Sequence, residues 1–274
     1  MPVQAARVPV EDTPLLLREA VGSIAVITFN RPARRNTLSE EVIAALHGVL
    51  DEIATDKNIR ALVIASQGPA FSSGHDLKQL TSHRGDADGG RAYFARTMNA
   101  CSAMMQAIVN LPKPVIAAVQ GIATAAGCQL VASCDMAVAS DEARFATSGI
   151  DNGLFCSTPM VALSRNVSRK HAMEMLMTGE PISAQRAVEI GLINHAVPAG
   201  HERDAAIAIA EKIARQSAYA IKLGKEAFYR QAEMNLADAY RYTAEVMTEN
   251  MMAFDGKEGT GAFLENREPK WRDE

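Results

Sequence analysis

Residue types that could stabilise a developing negative oxygen stand in two stretches of this 274-residue chain. In one, the β-branched apolar run 115–119 gives way to Gly-Ile-Ala-Thr-Ala-Ala-Gly at 121–127 and then to a helical pattern that is almost entirely apolar. Small residues let a ligand approach the backbone closely. A helix that starts at Ala125 or Ala126 leaves its first N–H groups without intrahelical partners, at the positive end of the helix dipole. Such donors suit an oxygen that becomes negative, although the same residues also suit a tight turn packed beneath a buried helix. In the other stretch, a buried-strand pattern at 59–65 precedes Phe71-Ser72-Ser73-Gly74-His75-Asp76-Leu77-Lys78. His75 titrates in a range useful for proton transfer.

These residues must be positioned by the elements around them. Strand patterns at 15–19 and 24–29 flank the turn Gly22-Ser23. A helix is expected after the N-cap Ser39, with Glu40 and Glu41 in its first turn and Val42, Ile43, Leu46, Val49, Leu50 and Ile53 along one face. The polar segment 79–91 is expected to be mobile. A helix with the stripe Phe94, Met98, Cys101, Met105, Ile108 and Val109 follows it, ended by Pro112 and Pro114. Short strands are expected at 136–139 and 144–146, a helix at 184–190 between Ser183 and Gly191, and helices over 202–216 and 218–253 that stop before Gly256. Strand and helix alternate through the first two-thirds, which makes the chain α/β. The expected division is a loose N-terminus at 1–14, an α/β core at 15–200 and a helical region at 201–274.

The two chemical stretches together resemble the enoyl-CoA hydratase/isomerase, or crotonase, superfamily. The resemblance is carried by Phe71–Lys78 as a first loop and by residues 121–139 as a second loop and helix. It also includes Asn-Arg-Pro-Ala-Arg-Arg-Asn-Thr-Leu-Ser at 30–39, Gly-Glu-Pro-Ile-Ser-Ala-Gln-Arg-Ala at 179–187 and Glu-Gly-Thr-Gly-Ala-Phe-Leu-Glu-Asn-Arg-Glu-Pro-Lys-Trp at 258–271. It implies a crotonase (ClpP/crotonase-like) fold, with a repeated β-β-α spiral core and a C-terminal helical oligomerisation region that forms homotrimers or homohexamers. It further implies that the backbone N–H groups of His75 and Ala126 form an oxyanion hole for the thioester carbonyl of an acyl-CoA. Coenzyme A enters as part of the substrate, with no permanently bound cofactor. Arg31, Ala33, Arg34, Ser73, His75, Asp76, Leu77, Lys78, Ala126 and Phe263 are the positions the resemblance assigns to the CoA thioester, with Phe263 and Lys257 resembling positions that reach the adenine end, in some relatives that of a neighbouring subunit's ligand. The three arginines of the 30–36 loop also read as an ordinary solvated basic loop.

The chain departs from the family where hydratases place two catalytic glutamates, since those positions hold Gln129 and Gly149. A carboxamide hydrogen-bonds but takes up no proton near neutral pH. Hydratase activity is therefore doubtful, and Glu at both positions is expected to raise hydration. Alternatives are another CoA-thioester reaction (isomerisation, hydrolysis or decarboxylation) or non-catalytic acyl-CoA binding. Asp151 could substitute as an acid–base group if burial raised its pKa, or be a solvated turn residue. Cys156 and Ser157 are conceivable nucleophiles without a visible base, or small groups lining a pocket. Asp76 and Asp135 read as structural residues bonding loop or helix-end amides.

Composition narrows the classes further. With 28 basic and 32 acidic side chains the formal charge is −4, and no basic cluster marks a nucleic-acid surface. No apolar run reaches the roughly 20 residues needed to span a bilayer. The four cysteines form no C-x-x-C pair, no metal-ligand spacing is present, and a reduced, cytoplasmic protein is the expectation.

Overall fold

The computed structural model describes residues 13–274. The expected loose N-terminus lies almost wholly outside them. Six strands build the larger sheet in the spatial order β1 (Leu16–Val21), β2 (Ile24–Phe29), β3 (Ala61–Ser66), β5 (Val115–Val119), β7 (Met136–Ser140) and β10 (His195–Val197). Only the β1–β2 pair is antiparallel. The smaller sheet is β4 (Ala70–Ser72), β6 (Ile122–Thr124), β8 (Arg144–Ala146) and β9 (Ile182–Ser183). Each of the pairs β3/β4, β5/β6 and β7/β8 sends its first strand into the larger sheet and its second into the smaller one. Helices close each repeat: α1 (Glu40–Thr55) precedes the first, α2 (Leu77–Ser82) and α3 (Arg91–Asn110) follow it, and α4 (Ala126–Ser133) and α5 (Pro159–Asn166) follow the next two. This is the β-β-α spiral expected of the crotonase fold.

Strand periodicity sets the two faces of the larger sheet. Ala25, Ile27 and Phe29 of β2, with Leu62 and Ile64 of β3, face the main core shared with α1, α3 and α4. Ile24 and Val26, with Ala61 and Val63, point the other way and are covered by Ala206, Ile207 and Ala210 of α8 (Glu202–Ala214). Between these lie α6 (Arg169–Thr178) and α7 (Ala184–Glu189), and after them α9 (Ala218–Gln231), α10 (Leu236–Met252) and α11 (Phe254–Leu264). Ser39 and Ser183 cap α1 and α7 as expected, accepting from Val42 and Arg186 amides.

Several local expectations are corrected. Part of the polar segment 79–91, expected as mobile and without an element of its own, is helical, as the end of α2 and a 3-10 turn at His83–Gly85, with the Gln79 amide oxygen accepting from Glu40 N and its nitrogen donating to Glu41. Tyr93 and Thr97, not Phe94 and Met98, occupy the buried face of α3 ahead of Cys101, Met105 and Ile108. The helix expected over 218–253 breaks after Gln231, and Asn235 caps its second part. Gly256 does not end the helical region but lies inside α11, its missing side chain allowing direct contact with the Asn250 carbonyl.

Candidate active site

The first loop is shaped by backbone geometry. Gly74 has φ +82°, a conformation that favours glycine, and a Cβ there would lie only 3.2 Å from Ala126 N. The loops carrying His75 and Ala126 are therefore in direct contact, as the sequence reading requires. Asn36, buried with φ 49°, anchors this arrangement. Its side-chain nitrogen donates to the carbonyls of Gln67 (2.9 Å) and Ala70 (2.7 Å), and its side-chain oxygen accepts from Arg31 N at 2.9 Å. Sequence reasoning missed this hub, whose only local sign was an asparagine in a loop, a residue that tolerates the left-handed region. Asp76 caps α2 through Lys78 N and Gln79 N, as expected of a structural residue.

The second loop is held by strain and register. Ala125 adopts φ 50° and ψ −118°, unusual for a residue with a side chain, and it is the N-cap of α4. Its N–H donates to Ala146 O at 2.9 Å and its carbonyl accepts the first intrahelical bond, from Gln129 N at 3.0 Å. Ala126 is thus the first residue of α4, its N–H free of any intrahelical bond and facing Gly74 at the positive end of the helix. Gly127 abuts the Ser72 carbonyl of β4, so a side chain there would push the two repeats apart.

A cavity of about 350 Å³ opens beside the first loop. Arg31, Arg34, Asp76 and Lys78 line it together with Thr37 and Gln79. Its cations suit phosphate oxygens. Ala33, in the exposed 3-10 turn Pro32–Arg34, and Ser73 and the exposed Leu77 flank it without lining it. Phe263, 81 % exposed on α11, and the exposed Lys257 are not brought to this cavity within one chain.

The groups considered for proton transfer divide sharply. Gln129 is buried, and its side-chain oxygen has no hydrogen-bond partner. A Cβ on Gly149 would stand 2.6 Å from Leu154 O and 2.8 Å from Cys156 Sγ, so this turn has no room for a glutamate. Its φ lies outside the left-handed range, which makes space and not backbone angle the constraint. Of the two readings of Asp151 the solvated turn is the one observed: it is exposed, its carboxylate lying over Gly179 at the end of α6. Ser157 is also exposed. Burial raises the pKa of Cys156, with the Gly149 backbone opposing it, and pushes Cys128 up to about 12, so both stay thiols. Desolvation lowers the pKa of the His75 imidazole against the pull of the Leu38 carbonyl, and neither ring nitrogen has a partner within hydrogen-bond geometry.

Asp135, just beyond α4, accepts from Val115 N (2.7 Å), Lys225 Nζ (2.7 Å) and the Tyr229 hydroxyl (2.9 Å). It ties α9 to the core and takes no part in the site, again a structural role.

This fold and these two abutting loops define a crotonase-type protein. The chain belongs to the enoyl-CoA hydratase/isomerase family, whose model matches residues 19–274. Within that family it is similar to the human enoyl-CoA hydratase domain-containing protein 3, mitochondrial, at 46 % identity over 100 % of this chain and 88 % of that protein. The Xenopus laevis protein of the same name is 48 % identical over 95 % of this chain and 87 % of its own length. The crystal structure of the human protein covers 94 % of this chain and 100 % of its own with a TM-score of 0.89. A Mycobacterium smegmatis enoyl-CoA hydratase structure, 48 % identical, covers 94 % and 99 % with a TM-score of 0.90. The motifs Cys-Gln-Leu-Val-Ala-Ser-Cys-Asp at 128–135, Phe-Ala-Thr-x-Gly at 145–149 and Gly-Leu-Phe-Cys-Ser-Thr-Pro at 153–159 carry the resemblance to the protein 3 subgroup.

Proposed function

We propose that this chain binds acyl-CoA thioesters, with the CoA phosphates against Arg31, Arg34 and Lys78 and the thioester carbonyl between the N–H groups of His75 and Ala126. The contact of Gly74 with Ala126 N is the observation that carries this reading, since it brings the two donor loops together. Fixed donors shielded from water are each worth about 3–4 kcal/mol of barrier where an oxyanion develops. The site polarises a thioester but is poor at adding water, because Gln129 takes up no proton and Gly149 is walled by Leu154 and Cys156. A neutral site of this kind favours thioester reactions that need only enolate stabilisation, or binding without turnover, over hydration.

Calorimetric titration with butyryl-CoA, CoA and free butyrate, beside mass-spectrometric turnover of an acyl-CoA panel, tests the reading. Binding of butyryl-CoA but not butyrate is the expected result. Equal affinity for the two would overturn it. The subunits are proposed to assemble as trimers or hexamers, supported by exposed Tyr240, Met247, Met251, Met252 and Leu264 on the C-terminal helices. The four buried thiols fit a reducing compartment. The human and Xenopus relatives are mitochondrial by name, and a mitochondrial as well as a cytoplasmic location agrees with those thiols.

A further inference from the structure

Hydrogen bonds join the arginine loop to the loop that carries His75. Ser73 N donates to Arg35 O (3.1 Å), Leu38 N to Gly74 O (2.8 Å) and the Ser72 hydroxyl to Asn36 O (2.8 Å). The last is made by a side chain, and Ser72 Oγ also accepts from Gly74 N at 3.3 Å. Ser72 is fully buried and meets no ligand itself. Its carbonyl abuts Gly127, where a Cβ would stand only 2.2 Å away, so it has no freedom to swing toward α4. The hydroxyl is thus bonded on one side to the residue before His75 and on the other to Asn36, whose side-chain oxygen holds Arg31 N at 2.9 Å. Arg35 and Asn36 are consecutive left-handed residues, with φ 50° and 49°. Such a backbone persists only where its surroundings over-determine it. A change in how Arg31 and Arg34 are held therefore moves the Asn36 carbonyl, and with it the hydroxyl that receives Gly74 N.

We propose that Ser72 is a positioning residue that couples the two ends of the ligand, an inference that rests on the acyl-CoA reading above. Phosphates seated on Arg31 and Arg34 fix the Asn36 carbonyl, the Ser72 hydroxyl follows it, and Gly74 then aligns the His75 N–H with the thioester oxygen. Binding energy from a remote, unreacting part of the ligand is in this way used to align a donor at the carbonyl. A hydrogen bond weakens steeply once it is bent or lengthened, so a small displacement of His75 N is enough to change the polarisation. The carbonyl of a thioester carrying the whole phosphorylated nucleotide is then polarised more strongly than that of an acyl-pantetheine lacking it.

The test is difference infrared spectroscopy of the thioester carbonyl in wild type, Ser72→Ala and Ser72→Cys. Each is saturated with butyryl-CoA or with S-butyrylpantetheine, which lacks the phosphates and the nucleotide. In the wild type the butyryl-CoA band is expected to shift further to low wavenumber than the S-butyrylpantetheine band. Ser72→Ala is expected to lose this difference, its butyryl-CoA band moving to the pantetheine position. Ser72→Cys, whose thiol is a weaker donor, is expected to narrow it, and decides the matter where Ser72→Ala does not fold. Equal shifts of the two ligands in the wild type would overturn this inference and leave the acyl-CoA reading standing. So would a difference that survives undiminished in the folded variants, whatever their melting temperatures, since the hydroxyl would then serve the fold alone. Failure of butyryl-CoA to bind the wild type, or binding with its carbonyl band unshifted, would overturn both.

Discussion

At the scale of single residues, Gly149 changes what restoring the missing carboxylates would do. A glutamate there must displace the Leu154 carbonyl and the Cys156 thiol, an overpacking that costs about 1–3 kcal/mol or more. Gln129→Glu alone is expected to raise crotonyl-CoA hydration from a low wild-type level, whereas Gln129→Glu with Gly149→Glu is expected to melt lower and hydrate no faster than the single variant. Steady-state rates and thermal melts of both variants check this. His75, partly exposed but with both ring nitrogens buried, makes a separate prediction. Its pKa is lowered by desolvation from an ordinary value near 6.5. The unfolded chain therefore takes up this proton at a higher pH than the folded one, and stability is lost as pH falls below about 6.5. His75→Gln keeps the backbone N–H and is expected to flatten the decline in wild-type stability between pH 7 and pH 5; parallel denaturation curves for the two proteins would refute it.

At the scale of elements, α4 joins the site to the C-terminal helices. Its first residue offers Ala126 N, and the residue two beyond its last is Asp135, bonded to Lys225 and Tyr229 of α9. Ala126 is a position where proline meets no intrahelical bond, so Ala126→Pro removes the donor with little cost to the helix itself. The bound thioester's carbonyl band in difference infrared spectra is expected to return to the free-ligand position in that variant. Lys225 also donates to the carbonyls of Ile108 and Lys113, and its side chain is only 8 % exposed. Removing one partner of a buried ion pair costs about 3–5 kcal/mol. Lys225→Met is expected to show a loss of this order in urea titrations, and an unchanged midpoint would mean that α9 is held by other contacts.

At the scale of the whole molecule, the C-terminal tail is fastened to both halves. The buried Asp255 accepts from Ser217 Oγ and from the amides of Arg272 and Asp273, while Arg60 at the foot of β3 holds the Asp273 carboxylate. Large apolar side chains are exposed in and around α5 and α6 at Leu154, Phe155, Met160, Val161 and Met177, and along α10 at Tyr240, Met247, Met251 and Met252. Patches of this kind mark interaction sites in water-exposed proteins. Light scattering behind size-exclusion chromatography is expected to give three or six times the chain mass. A monomer at micromolar concentration would remove the assembly proposal.

Local chemistry made much of this molecule legible in its residues alone. Val115–Val119 and Arg144–Ala146 are strands where β-branched and apolar residues said they should be, and Ser39 and Ser183 cap helices because capping is a matter of adjacent atoms. The family likewise follows from residue identity and order. What distant packing decides was not legible. The buried face of α3 passes through Tyr93 and Thr97 because α3 packs on α1 and α4, and α11 continues through Gly256 because that glycine fits against Asn250. Asn36 is a hub only because residues 67 and 70 return to it. The sequence by itself determined which groups the chain carries. Only the tertiary structure decided that Cys156 fills the space beside Gly149 and that the Gln129 side-chain oxygen is buried without a partner, since side chains apart in the chain meet only once the sheets and helices are packed.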